Sequence, residues 1–247
     1  MSRIEPFQEN TIVVGNCLKI ITQMPDNCID LVITSPPYNV GKDYGSLVND
    51  RKPLDDYYTF LENVNSSLYR ILKLGGRSVI EIGGAGRNFP LGWIVQDTAF
   101  KAGFLLRGEL TIPHRATNRT AWGSYLSPSN PYTIPNFHMV YMFSKETHGR
   151  KDLRGTKIPI EPSEWFEWSL GIWDIPYGRR KGHKATFSEE FARRCILLLS
   201  GPDDIIFDPM VGSGTTAVVA KKLGRRFFAC DINPDYVKDA LEWLSET

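Results

Sequence analysis

The chain has 247 residues, 42% of them hydrophobic, which is enough for one α/β domain with a full core and one insertion. Its 29 basic and 28 acidic residues nearly cancel, so global charge gives no sign of nucleic acid and any basic surface must be local. Cys17, Cys28, Cys195 and Cys230 show neither metal-ligand spacing nor a disulfide framework, residues 1–10 lack the apolar stretch of a signal peptide, and no apolar run is long enough to span a bilayer. A cytoplasmic protein with no membrane partner and no metal is expected; a homodimer is compatible with the sequence.

The first region alternates strand and helix signals. Residues 12–14 form a short β-branched run, and 29–34 (IDLVIT) an apolar strand that stops at Ser35-Pro36-Pro37. Residues 55–72 have helical periodicity, with Tyr58, Leu61, Val64, Leu68 and Leu72 on one side and Gly75-Gly76 ending the helix. A strand at 78–82, a helix at 91–102 and a strand at 104–112 follow. Residues 113–182 differ: Pro, Asn, Ser, Thr and Trp are frequent, periodicity is weak, and one strand candidate appears at 138–143. The texture is that of an insertion that recognises something, since loops on a rigid scaffold commonly carry binding. Its tryptophans, Trp165, Trp168 and Trp173, are expected to pack rather than to stack on a ligand. From 183 the α/β pattern returns. A helix at 188–199 has Ser188 as N-cap and an acidic first turn. Then come a strand (204–208), a helix (215–223), a strand (226–231) and a last helix (234–244) with Pro234 near its start. These alternating units predict a mostly parallel sheet with helices on both faces.

Residues 207–217 read FDPMVGSGTTA. A buried strand ends in Asp208-Pro209, a glycine turn follows, and Thr215-Thr216 open a helix. Gly212 and Gly214 permit positive φ and a close backbone approach, and the helix N-terminus offers N–H groups to a ligand. Asp231 ends the next strand, about 20 residues on, where a carboxylate suits a ribose diol. The glycines also satisfy the weak dinucleotide fingerprint. However, the motif lies close to the C-terminus, and Asp208 suits a cationic ammonium better than a pyrophosphate. S-adenosylmethionine has both the ammonium and the ribose. An ordinary tight strand-to-helix turn remains the plain alternative.

Residues 34–39 read TSPPYN directly after an apolar strand. Two prolines cannot continue a central strand, so the chain leaves the sheet there. The loop offers a hydroxyl acceptor at Ser35, a fixed carbonyl before Pro37, and the aromatic face of Tyr38. A planar amine donates two hydrogens and stacks, and acceptors that draw its hydrogens out of plane localise its lone pair toward an electrophilic methyl. A stiff Pro-Pro turn alone would look the same.

Together the two motifs resemble the DNA amino-methyltransferases. The catalytic motif first and the cofactor glycines last is similar to the permuted β group of that family. Leu74-Gly75-Gly76, Trp173-Asp174-Ile175-Pro176 with the stretch from Gly182 to Phe187, and Ala121-Trp122-Gly123-Ser124 with Ser127-Pro128-Ser129-Asn130-Pro131 look like further family segments. The resemblance implies a Rossmann-like S-adenosylmethionine-dependent methyltransferase fold of the α/β class. Residues 1–112 would be the catalytic half, 113–182 the target-recognition region and 183–247 the cofactor half. It implies catalytic roles for Ser35, Pro36, Pro37 and Tyr38. Cofactor contacts would come from Asp208, Pro209, Gly212, Gly214, Thr215, Thr216, Asp231, Ile232, Asn16 and Thr186. Gly15-Asn16 stands where the family often has Gly-Asp, and His138-Met139 where many members have His-Glu. Serine before Pro-Pro-Tyr is seen mostly in members that methylate cytosine N4, so the implied reaction is methylation of that amine in double-stranded DNA, within a restriction–modification system, with adenine N6 as the alternative.

Such an enzyme must flip its target base out of the duplex, with Tyr38 the candidate to stack on it, and draws most of its affinity from phosphate contacts. Between 101 and 150 six basic residues face two acidic ones, a local balance of +4. Arg115 and Arg119 there, and Arg179-Arg180-Lys181 in a second cluster, are the candidate DNA contacts. Two other readings stay open. Protein glutamine methyltransferases use a related loop, but usually with Asn before Pro-Pro-Tyr and the opposite motif order. A DNA-binding module without catalysis would not need both motifs intact.

Overall fold

The run Ile29–Thr34 buries all six of its residues, as a strand must when helices cover both faces of its sheet. It is strand β2 of the computed structural model, which describes residues 2–41, 50–83, 89–113, 123–131, 135–176, 178–180 and 183–247, with backbone alone at 179–180 and 183–186. Six further strands join it: β1 (Thr11–Val14), β3 (Leu72–Gly83), β4 (Phe104–Pro113), β5 (Phe137–Lys145), β8 (Ile205–Asp208) and β9 (Arg226–Asp231). Their order is β1-β9-β8-β2-β3-β5-β4. β5 is antiparallel to both its neighbours and the other pairings are parallel. The mostly parallel α/β sheet expected from the alternating units is thus present.

Helices α1 (Cys17–Gln23), α2 (Leu54–Ile71) and α3 (Leu91–Ala102) pack on one face of the sheet, in a core with Ile29, Val32 and Phe143. On the other face lie Trp168 of α4 (Pro162–Trp168), α5 (Glu189–Leu199), α6 (Thr215–Lys222) and α7 (Pro234–Ser245), over Leu31, Ile33 and Ile206. Along α2 the buried stripe is Tyr57, Leu61, Val64, Leu68 and Ile71. Burying each of its aliphatic members contributes roughly 1.5–3 kcal/mol.

Several sequence expectations shift. The helix expected at 55–72 is present at Leu54–Ile71, but Gly75-Gly76 do not end it: Leu72 turns extended (φ −69°, ψ 140°) to begin β3 opposite Ile29. The helix-end carbonyls of Arg70 and Ile71 accept from Asn27 N (3.2 Å) and Cys28 N (2.8 Å), and Lys145 Nζ adds contacts to the carbonyls of Leu72 (3.0 Å) and Arg70 (3.4 Å), so no glycine cap is needed. Gly75, at φ +71°, instead lies inside β3. Tyr57, not Tyr58, is the buried tyrosine of α2. Helices α1 and α4, each of seven residues, are too short for periodicity to reveal. The middle region contributes β5 to the main sheet between β3 and β4, and its β6 (Gly178–Arg180) forms a separate pair with β7 (His183–Thr186) at the start of the last region. Trp168 and Trp173 are buried, and Trp173 Nε1 donates to the Trp168 carbonyl at 3.1 Å; Trp165 is exposed.

Charge gathers at the edge where β2 starts. Asp30 is fully buried, yet it meets Lys73 Nζ at 2.7 Å, Arg150 Nη2 at 3.2 Å and Arg3 Nη2 at 3.4 Å, and accepts from Ile205 N at 2.9 Å. A buried carboxylate is tolerable only when satisfied in this way. At the opposite edge the strand succession runs outward in two directions, β8 to β9 on one side and β2 to β3 on the other. β8 and β2 therefore flank a topological switch point, where open α/β sheets bind ligands beyond the strand C-termini.

Candidate active site

Both sequence motifs arrive at that switch point. Ser35-Pro36-Pro37-Tyr38 leaves β2, the glycine turn leaves β8, and Asp231 ends β9. The proline loop is anchored from several sides. Tyr57 Oη of α2 donates to the Pro37 carbonyl at 2.6 Å. Asp50 accepts from the backbone N–H groups of Asn39 (2.7 Å) and Val40 (3.2 Å), and Asn39 has φ +59°.

Beneath the loop is a carboxylate with no part in the sequence reading. Glu81 on β3 is 2% exposed. Its Oε2 accepts from Ser35 Oγ at 2.7 Å and from Tyr38 Oη at 2.8 Å, while those two hydroxyl oxygens lie 2.9 Å apart. Its Oε1 is in close contact with Nδ1 of His138, at the start of β5. Burial opposes the charge on Glu81, but the bonds from His138, Ser35 and Tyr38 outweigh it and hold the carboxyl below the usual carboxylate range. Glu81 is the one charged residue in the apolar stretch 78–83; a lone acid in a buried strand was the available signal.

This geometry corrects the expectation for Tyr38. Its ring is not an open platform for a base: the residue is 4% exposed and meets His138 edge-on at 6.0 Å between ring centres. The hydroxyl bond to Glu81 draws the ring inward, and the absent side chain of Gly83 makes the room. A Cβ there would lie 2.6 Å from Tyr38 Cε2.

In the glycine turn, Gly212 (φ +52°) and Gly214 (φ +92°) both use backbone that favours glycine. They differ in surroundings. A Cβ on Gly212 would meet nothing within 4 Å, whereas one on Gly214 would sit 2.8 Å from Ala240 Cβ of α7. Gly212 therefore borders open space, and Gly214 is required by helix packing. Asp231, partly exposed, accepts from Gly212 N and Asn233 N, both at 2.9 Å, and so shapes the turn from the next strand. Asp208 is turned into the fold. It is 1% exposed, accepts from Thr216 Oγ1 (2.6 Å) and Met210 N (3.1 Å), and burial pushes its carboxyl up to about 7. Thr215, Thr216 and Pro209 are likewise buried and Ile232 partly so. Asn16 caps α1, accepting from Leu18 N and Lys19 N. Thr186 lies in β7 and Arg179 and Arg180 in β6; their side chains, and Arg115, Arg119 and Lys181 altogether, lie outside the described residues. The residues present fit S-adenosylmethionine: an open-sided glycine turn, the N-terminus of α6 and a strand-end carboxylate converge on one spot. Among the described residues no group of three or more His, Cys, Asp or Glu gathers to hold a metal, and no helix is long and apolar enough to cross a membrane.

Known proteins share this fold. The structure of a protein named as a DNA modification methylase from Thermus thermophilus, in complex with S-adenosyl-L-methionine, superposes with TM-score 0.76 at 25% identity over 96% of this chain and 93% of that one. The cytosine-N4-specific PvuII DNA methyltransferase superposes with TM-score 0.70 at 20% identity, covering 94% of this chain and 85% of that one. In sequence, type II methyltransferase M.BglII of Bacillus subtilis is 27% identical over 252 residues, 96% of this chain and 69% of that protein. DNA adenine methyltransferase YhdJ of Escherichia coli K12 is also 27% identical, over 96% of this chain and 83% of its own length. The DNA methylase model for N6 and N4 methyltransferases matches residues 29–242. The chain belongs to this family, the S-adenosylmethionine-dependent DNA methyltransferases that modify an exocyclic amine of adenine or cytosine.

Proposed function

We propose that the chain methylates the N4 amine of cytosine in duplex DNA, as the modification enzyme of a restriction–modification pair. The observation that carries this reading is the neutral hydroxyl of Ser35 at the head of the catalytic loop, backed by buried Glu81 at 2.7 Å. Bound S-adenosylmethionine supplies an electrophilic methyl on a sulfonium, and Gly212, Asp231 and the N-terminus of α6 would hold it. The target base swings out of the duplex, at a cost of a few kcal/mol. Ser35 Oγ and the Pro36 carbonyl accept its two amine hydrogens, and Pro36 and Pro37 keep the acceptors fixed. Held so, the nitrogen lone pair is freed from the ring and directed toward the methyl that the cofactor would supply, and the proton that the amine must then lose would pass to solvent. No strong base is needed, so positioning dominates the rate. Arg115, Arg119, Arg179, Arg180 and Lys181 are proposed to meet phosphates, which position the duplex without reading sequence.

The test is to methylate DNA with the purified protein, digest it to nucleosides and identify the product by chromatography and mass. N4-methylcytosine supports the assignment. N6-methyladenine alone would move the target to adenine, as the name of the Escherichia coli relative suggests for that protein. Label transferred to protein and not to DNA would reject a DNA target.

A further inference from the structure

We infer that Glu81 is a positioning residue for methyl transfer: it accepts the hydrogen bond of the Ser35 hydroxyl and so presents Ser35 Oγ to the target amine purely as an acceptor. The inference deepens, and rests on, the reading of Ser35 to Tyr38 as the catalytic loop.

Ser35 Oγ, Tyr38 Oη and Glu81 Oε2 form a triangle with sides of 2.7, 2.8 and 2.9 Å. With the carboxylate ionised, two hydroxyl protons serve three contacts. Hydrogen bonds to a charged acceptor are roughly twice as strong as neutral ones, so both protons point to Glu81. The edge between Ser35 and Tyr38 is then without a proton, and the lone pairs of Ser35 Oγ turn outward. Among the described residues the triangle opens at Ser35, which is partly exposed while Glu81 and Tyr38 are buried. A group arriving there is held if it brings an N–H and refused if it brings only lone pairs. His138 on the other carboxylate oxygen fixes the plane of Glu81, and Gly83 leaves the space in which Tyr38 and His138 meet. A buried carboxylate in a central strand is costly, and packing alone would be served by an uncharged side chain. Its placement under the first residue of the loop gives the charge a use: it fixes the direction of one hydroxyl.

Glu81→Gln keeps the shape but carries an amide whose N–H groups can donate to Ser35 Oγ. The Ser35 proton then faces the target amine, donor against donor. The single-turnover methylation rate should fall by roughly one to three orders of magnitude, the scale of losing one preorganised polar contact. Affinities for cofactor and DNA should stay within about twofold, because the cofactor is held elsewhere and phosphate contacts supply most of the DNA affinity. On a Ser35→Ala background the same change should cost nothing further, because the residue through which Glu81 acts is gone. Glu81→Asp, which draws the carboxylate back by one methylene, should also slow the step with binding intact. Full rate in Glu81→Gln beside an impaired Ser35→Ala overturns this inference alone, as does an equal loss on both backgrounds. Loss of cofactor binding in both Glu81 variants also overturns it, by making the residue structural. A Ser35→Ala variant at full rate overturns the loop assignment and this inference with it.

Discussion

Asp208→Asn should make the protein more stable at neutral pH and leave it nearly unchanged in acid. Asp208 is 1% exposed, and its carboxyl is pushed up to about 7 from an unperturbed 3.8, chiefly by burial, against the hydrogen bonds from Thr216 and Met210. Between those two values the folded chain holds a proton that the unfolded chain has released. Stability therefore falls as pH rises through this window and levels off above the folded value. From about pH 5 to pH 8 the loss amounts to roughly 2–3 kcal/mol. Asparagine has no such titration and can keep both contacts, its carbonyl accepting from Met210 N and its amide donating to Thr216 Oγ1. Urea unfolding of both proteins without cofactor, across that pH range, isolates the effect, because titrating groups remote from Asp208 cancel in the difference. A variant-minus-wild-type difference that stays constant with pH would refute the account of Asp208 as a buried, proton-holding carboxyl.

The remaining expectations are more local. Gly214→Ala combines left-handed backbone with a contact of 2.8 Å to Ala240, a loss of roughly 2–5 kcal/mol measurable as a lower urea midpoint. Gly212→Ala, with open space around its Cβ, should lose only the backbone part of that, about 1–2 kcal/mol, but should weaken cofactor binding. Asp231→Ala removes the acceptor of Gly212 N and Asn233 N; calorimetry should show S-adenosylmethionine affinity lower by about tenfold or more, the worth of one bond to a charged group. Replacing Arg179, Arg180 and Lys181 by Ala should weaken binding to all DNA sequences alike and flatten the log–log salt dependence by about 0.9 per lost phosphate contact. A loss confined to one sequence would mean that they read bases.

Long, strongly patterned segments were legible from residues alone. The strand Ile29–Thr34, the helix Leu91–Ala102 and the strand Arg226–Asp231 appear with the bounds that periodicity and turn residues indicated. The Ser188 cap is real, its side chain accepting from Phe191 N. What sequence could not show was set by contacts remote along the chain. Leu72 becomes a strand residue because Ile29 pairs with it and Asn27 and Cys28 meet the last carbonyls of the helix before it. The inward turn of Tyr38 depends on Glu81, 43 positions along the chain, and on His138, a further 57 beyond that; no local pattern encodes such a meeting. Asp208 and Asp231 read alike as strand-end acids, yet one is sealed against Thr216 and the other is partly exposed beside Gly212; burial, not residue type, separates them.

The pairing of β4 with β5 bears on how such an enzyme can change its target. Their antiparallel ladder runs from Phe104 opposite Lys145 to Pro113 opposite Phe137, so the ladder itself holds the two ends of the connecting segment together at the edge of the sheet where His138 meets Glu81. Once the ends are clamped, lengthening the segment adds little closure entropy, on the order of 0.6 kcal/mol for each doubling. Segments of different length and composition can then be exchanged between Pro113 and Phe137 while the sheet beneath stays as it is. Under the proposal that this segment recognises the target, diversification of the DNA sequence that is read is uncoupled from upkeep of the chemistry.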